Sequence, residues 1–122
     1  MKVAIPADTQ SLDSDVCPSF GRAPYYLIYD IGSKPPVFLA NKAVHSQGGA
    51  GIQAAQFLVD QHIQAVLTPR CGRNAAEVIQ AAGIRIYQTM AGSLRENLDA
   101  FSADKLGVME EFHAGFHRHG GR

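Results

Sequence analysis

Apolar residues along this chain fall into two kinds of pattern, and their order predicts an α/β domain. Val3-Ala4-Ile5-Pro6-Ala7 is a short, nearly continuous apolar run, as expected of a strand buried on both faces. Pro6 has no N–H, so it should sit where the ladder does not need that donor. Tyr25-Tyr26-Leu27-Ile28-Tyr29-Asp30-Ile31 is rich in aromatic and β-branched residues and predicts a second strand. Gly32-Ser33-Lys34-Pro35 supplies turn chemistry, so Val37-Phe38-Leu39-Ala40 returns as the other arm of an antiparallel hairpin. Pro35 and Pro36 suit an edge strand. Ala65-Val66-Leu67 predicts a buried fourth strand, and Ile84-Arg85-Ile86-Tyr87 alternates as a half-exposed fifth.

Helical spacing appears between the later strands. Ile52, Ala55, Phe57, Leu58 and Val59 predict a helix ending near Gln61. Asn74 reads as an N-cap, with Glu77 three residues on completing a capping-box pattern, and Gly83 ends that helix. Ser93 and Glu96 form a second capping box ahead of the stripe Leu94, Leu98 and Phe101. Asp8 to Pro24 is a long polar connection, and loops of that length are usually functional or mobile.

The resulting order is β-β-β-α-β-α-β-α. The hairpin makes the second strand antiparallel to its neighbours, and right-handed crossovers add the later strands in parallel. The simplest sheet has the order 3-2-1-4-5, with a topological switch point between the first and fourth strands. Open α/β sheets bind ligands at such points. Three loops should meet there: the exit of strand one with Cys17, the glycine stretch after strand three, and the exit of strand four with Cys71.

Composition narrows the picture. At 122 residues with 46% hydrophobic content, the chain is long enough for one core. The folded domain is expected over residues 1–106, with a flexible tail over 107–122 that contains His113, His117 and His119. Eleven basic and eleven acidic residues give zero formal charge, which argues against general nucleic-acid binding. No apolar run approaches the ~20 residues of a membrane span, and the start does not read as a signal peptide. The expected compartment is the cytoplasm, where two cysteines are free thiols or ligands rather than a disulfide.

The stretch His45-Ser46-Gln47-Gly48-Gly49-Ala50-Gly51 opens into a helix, so Gly48, Gly49 and Gly51 can bring backbone N–H groups close to an anion. It lacks the Lys-Ser/Thr pair of a Walker loop and is not Gly-x-Gly-x-x-Gly. Cys17 and Cys71 each have arginines nearby: Arg22 for the first, Arg70 and Arg73 for the second. Cys71 also precedes a helix start, flanked by Gly72 and followed by Asn74. Arginines and a helix N-terminus lower a thiol pKa and favour the metal-binding thiolate. His45 is the best-placed histidine for a soft or borderline metal. Asp8, Asp13, Asp15 and Asp30 do not converge by position, so a two-metal nuclease is not expected, and no catalytic residue is assigned.

Several stretches together carry a resemblance. Phe20-Gly21-Arg22-Ala23-Pro24-Tyr25-Tyr26-Leu27-Ile28-Tyr29-Asp30, Gly48-Gly49-Ala50-Gly51-Ile52-Gln53-Ala54-Ala55, Gly72-Arg73-Asn74-Ala75-Ala76 and Ala82-Gly83-Ile84-Arg85-Ile86-Tyr87 resemble the dinitrogenase iron-molybdenum cofactor biosynthesis family over roughly residues 1–106. The resemblance implies a ribonuclease-H-like α/β fold with a mixed five-stranded sheet. It also implies binding or carriage of metal–sulfur clusters, of iron–molybdenum–sulfur or molybdenum–copper sulfide type, in exchange with cluster donor or acceptor proteins. The chain is similar to small stand-alone members of that family. Where members often have His before Phe-Gly-Arg, this chain has Ser19, with Cys17 nearby. Many members lack a cysteine where this chain has Arg70-Cys71-Gly72.

The expected function is therefore a non-enzymatic carrier of an anionic metal–sulfur cluster. Arg22, Arg70 and Arg73 would offset its charge, glycine-loop N–H groups would bond its sulfides, and Cys17, Cys71 and His45 would supply ligands. Two alternatives stay open. One is a small regulatory domain binding a nucleotide or a protein partner at the glycine stretch. The other is a thiol redox protein using Cys17 and Cys71.

Overall fold

A computed structural model describes residues 1–32, 35–45, 47–110 and 112. Five strands form one sheet: β1 Lys2–Ala7, β2 Tyr25–Asp30, β3 Val37–Ala40, β4 Ala65–Thr68 and β5 Arg85–Gln88. Their spatial order is β3-β2-β1-β4-β5. β2 is antiparallel to both β1 and β3, while β1, β4 and β5 are mutually parallel. The order and directions match those expected from the pattern of the chain. β1 and β4 hold the centre, and Val3, Ala4, Ile5, Val66 and Leu67 are all fully buried. That is why their sequences are apolar on both faces. Pro6 lies beyond the registered β1–β4 pairing at Val3 and Ala4. Its carbonyl accepts the N–H of Cys17 at 2.9 Å, which ties the long first loop to the end of β1.

Three α-helices cover the sheet: α1 Ala50–Asp60, α2 Arg73–Ala81 and α3 Leu94–Ser102. α1 and α2 pack together on one face, where Ala54, Ala55, Leu58, Ala75, Ala76 and Ile79 meet Ala4, Tyr26, Ile28 and Val66. α3 covers the other face, setting Leu94 and Leu98 against Val3, Ile5, Leu27, Ala65 and Leu67. Alternate residues of the central strands thus feed two separate cores, as the period of two requires.

The expected Ser93–Glu96 capping box is present. The Glu96 N–H donates to Ser93 Oγ at 3.0 Å, and the Ser93 N–H donates to Glu96 Oε1 at 2.8 Å. The expected Asn74 cap is not. Gly72 is extended at φ −67°, and its carbonyl already accepts the Ala76 N–H, so α2 has begun before Asn74. α1 likewise starts at Ala50, two residues earlier than expected, because Gly49 takes φ 69° and turns the chain directly into the helix. A 3-10 helix over Lys42–His45, unforeseen from the pattern, precedes it.

Of the tail expected over 107–122, residues 107–110 and 112 are described. Gly107 to Met109 runs beside β5, with Gln88 N–H donating to the Gly107 carbonyl at 2.9 Å and Met109 N–H to the Ile86 carbonyl at 2.7 Å. Met109 is buried, and Phe112 packs against the α1–α2 core. This pairing covers the edge of β5 with the chain's own backbone. His113, His117 and His119 lie outside the described residues. No described helix is long and apolar enough to cross a membrane.

Candidate anion-binding cleft

β1, β3 and β4 all run the same way, so the loops that leave them emerge on one edge of the sheet. There they enclose a cleft of about 610 Å³, lined by residues 18–21, 49–52 and 70–75. The meeting of three loops at the switch point is the arrangement expected from topology.

Local bonds explain how each wall is held. Asn41 is buried, and its amide donates to the carbonyls of Gly21 at 3.0 Å and Ala23 at 2.8 Å while its oxygen accepts the Ala43 N–H at 3.0 Å. It clamps the first loop to the segment leading to the glycines. The hydroxyl of Tyr26, fully buried, donates to the Phe20 carbonyl and fixes the same loop from below. Gly21 then packs against the first turn of α1, backbone on backbone. In the third wall, the buried Thr68 hydroxyl donates to the Arg70 carbonyl at 2.8 Å and turns the chain so that Cys71 faces inward ahead of α2.

Two helices open at this cleft. Gly49 caps α1 and Gly72 caps α2, and neither start has a side-chain cap. The leading N–H groups of a helix have no partner within it, and each helix start carries a partial positive charge. Arg70 and Arg73 are exposed on the same wall. No Asp, Glu or His lines the cleft; Cys71 is its one metal-donor side chain among the described residues. The arrangement suits an anion larger than a single oxyanion.

The structure sorts the residues that sequence reasoning singled out. Gly49, Gly51, Arg70, Cys71, Gly72, Arg73 and Asn74 line the cleft. Cys17, Arg22, His45 and Gly48 do not. Cys17 is buried within the first loop, next to Asp8. Arg22 donates to the Val44 carbonyl at 3.0 Å and so bridges the first and second loops. His45 is exposed at the end of the 3-10 helix. Pattern reading missed Phe20, Gly21 and Ile52 as wall residues and Asn41 as the clamp. An Asn just after a strand was the one signal available for the clamp.

The thiols also differ from expectation. Arginines and the helix start were expected to lower their pKa values. Burial instead pushes Cys71 up to about 12. Burial also raises Cys17, with the neighbouring Asp8 carboxylate adding to the rise and a hydrogen bond from the Ser19 backbone opposing it. Desolvation thus outweighs the positive surroundings, and both free cysteines are protonated thiols at neutral pH. Tyr26 is raised as well, by burial first and then by the adjacent Cys17 and Cys71. Among the described residues, no three of His, Cys, Asp and Glu gather as a metal site. Asp13 pairs with Arg95 at 3.2 Å and Asp30 with the N-terminal amine at 3.5 Å.

Fold and cleft together define a small ribonuclease-H-like α/β domain with an electropositive pocket at its switch point. Residues 1–104 match the family model described as dinitrogenase iron-molybdenum cofactor, and the chain belongs to that family. It is similar to the apo form of the orange protein from Desulfovibrio gigas, at 29% identity over 88% of this chain and 92% of that one, with a TM-score of 0.84. It is also similar to a Thermotoga protein assigned as NifB, at 34% identity over 98% of each chain and a TM-score of 0.79. A Methanocaldococcus jannaschii protein assigned as a dinitrogenase shares the fold, at 20% identity over 89% of this chain and 94% of that one, with a TM-score of 0.71. Comparison with curated proteins gives no match.

Proposed function

We propose that the cleft receives a preformed anionic metal–sulfur cluster, of molybdenum–copper sulfide or iron–molybdenum–sulfur type. The chain then acts as a carrier or scaffold rather than an enzyme, exchanging its cargo with donor and acceptor proteins in the cytoplasm. One observation carries the reading: two helix starts without side-chain caps and two arginines converge on a cleft with no carboxylate among the described residues of its lining. Backbone N–H groups donate to terminal sulfides, and the arginines offset their charge. A bare cation would meet only positive potential there, so the donor set fits an assembled anion and not a free metal ion. Family membership and the likeness to a protein solved in an apo form support the same reading.

The test is anaerobic reconstitution of the purified protein with tetrathiomolybdate, alone and with copper or iron. A coloured, stoichiometric species that co-elutes with the protein is expected. Failure to form one under every combination refutes the carrier role. Thermal stabilisation by nucleotides, with none by metal sulfides, would favour a nucleotide-binding regulator at the glycine stretch instead.

A further inference from the structure

We infer that Tyr26 and Thr68 are positioning residues that make the loop backbone of the cleft selective for anions. Each holds one wall carbonyl back with a buried hydroxyl, and so turns the next N–H, that of Gly21 or Cys71, toward the cleft. This rests on the cluster-carrier reading and deepens it, because it names what orients the loops, as distinct from the helix starts, for an anion. Loop backbone has no such preference of its own. Every peptide unit offers a carbonyl acceptor as readily as an N–H donor, and inward carbonyls would suit a hard cation instead.

Here the wall carbonyls are occupied from behind. The Tyr26 hydroxyl donates to the Phe20 carbonyl, and the Thr68 hydroxyl to the Arg70 carbonyl at 2.8 Å. The Asn41 amide donates to the carbonyls of Gly21 and Ala23 at 3.0 and 2.8 Å. All three donors are buried side chains, and none of them lines the cleft, whereas Phe20, Gly21 and Arg70 do. These bonds therefore draw the oxygens out of the walls and into the core.

Peptide planarity then sets the N–H groups. In a trans unit the C=O and N–H point in opposite directions, and no cis unit occurs among the described residues. The unit of the Phe20 carbonyl carries the Gly21 N–H, and the unit of the Arg70 carbonyl carries the Cys71 N–H. Both residues line the cleft, and among the described residues no acceptor takes either N–H. The two units held by Asn41 differ. The Arg22 N–H already donates to Ser19 Oγ at 3.1 Å, and Pro24 has no N–H. Tyr26 and Thr68 are thus the buried donors that leave an N–H to spare. Cys71 directly precedes the α2 cap, and Gly21 packs on the first turn of α1, so each spare N–H joins those of a helix start. Backbone N–H groups gathered in this way form anion-binding concavities.

The probe is tetrathiomolybdate alone, titrated anaerobically into the full nitrogen-15-labelled chain. In wild type the amide proton resonances of Gly21 and Cys71 should move downfield on binding, as for N–H groups that gain an acceptor. Tyr26→Phe and Thr68→Val each remove one hydroxyl and keep the side-chain shape. Each should weaken binding about tenfold and remove the response of its own amide, Gly21 for the first and Cys71 for the second, while sparing the other. Thr68→Ser, which restores the donor, should recover the lost affinity. Asn97→Ala, destabilised on the opposite face of the sheet, should keep both responses, which separates positioning from lost stability. Binding by wild type with no response at Gly21 and Cys71 overturns the inference without recourse to any variant. Folded Tyr26→Phe and Thr68→Val that bind as tightly as wild type overturn it too, and the carrier role stands in both cases. If wild type ignores tetrathiomolybdate alone, the inference falls; if it also forms no species with copper or iron present, the carrier role falls with it.

Discussion

Gly21 lies against the backbone of Gly51, so closely that a Cβ at position 21 would sit 2.8 Å from the Gly51 nitrogen and 2.9 Å from its Cα. Gly51 in turn would bring a Cβ to 3.4 Å from that of Ala75. The first loop, α1 and α2 are therefore stacked in direct contact at the cleft. Gly21→Ala forces the loop and the first turn of α1 apart, because the obstructing atoms are backbone. The expected cost is ~1–3 kcal/mol in urea unfolding, as for other overpacked sites. Cluster affinity should fall along with stability, since the displaced turn carries the α1 N–H groups.

Asn41→Ala separates the clamp from the core. It removes the donors to the Gly21 and Ala23 carbonyls and the acceptor for the Ala43 N–H. Buried polar groups left without partners cost about 1–3 kcal/mol each before relaxation. Denaturant unfolding should register a loss of that order, with weaker cluster retention. Asn97→Ala is the informative contrast. That buried amide holds Met90 and Ser93 at the start of α3, on the opposite face of the sheet. It should lose comparable stability while the folded protein binds cluster as before.

Charge supplies a third expectation. Arg70→Gln and Arg73→Gln each remove one cation from the cleft wall, and each should weaken binding of tetrathiomolybdate by about tenfold at low salt. The double variant should also show a flatter dependence on ionic strength, because less of its binding is electrostatic. Equal salt dependence in wild type and double variant would place the anion elsewhere.

The thiols give a pH signature for the apo protein. Cys71 is pushed up to about 12 by burial, from the ordinary 9.0, and Cys17 is raised as well. Above about pH 9 the unfolded chain ionises these thiols while the folded one does not, so the unfolded state binds fewer protons. Stability is thus untouched by them below that point and declines as pH rises towards 12. Urea midpoints measured from neutral to alkaline pH should show this decline, and Cys71→Ser should flatten it. Alkylation of apo Cys71 should be slow at neutral pH for the same reason.

Much of the architecture was determined by the sequence alone. Continuous apolar runs at Val3–Ala7 and Ala65–Leu67 identified the central strands, because a strand buried on both faces cannot carry polar alternation. Crossover handedness then brought three loops to one edge. Ser93 and Glu96 announced a capping box because both partners are local. The glycine stretch and the Arg70–Asn74 segment were legible as cleft material for the same reason: backbone N–H groups at a helix start are a local property.

Tertiary structure decided what depends on contacts between distant residues. Whether Cys17, Cys71 or His45 reaches the cleft turns on how an irregular loop of some length is pinned, and that is done by Asn41 and Tyr26 from other elements. The close approach that requires glycine at 21 exists only once α1 is packed against it. The direction of the thiol shifts also belonged to packing. Arginines near in sequence suggested a thiolate, but burial by residues far along the chain outweighed them, because desolvation acts on the whole charge while exposed arginines are screened by water. The sequence determined that three glycine- and arginine-bearing loops would meet at this edge. Packing decided that, of Cys17, Cys71 and His45, Cys71 alone lines the cleft there.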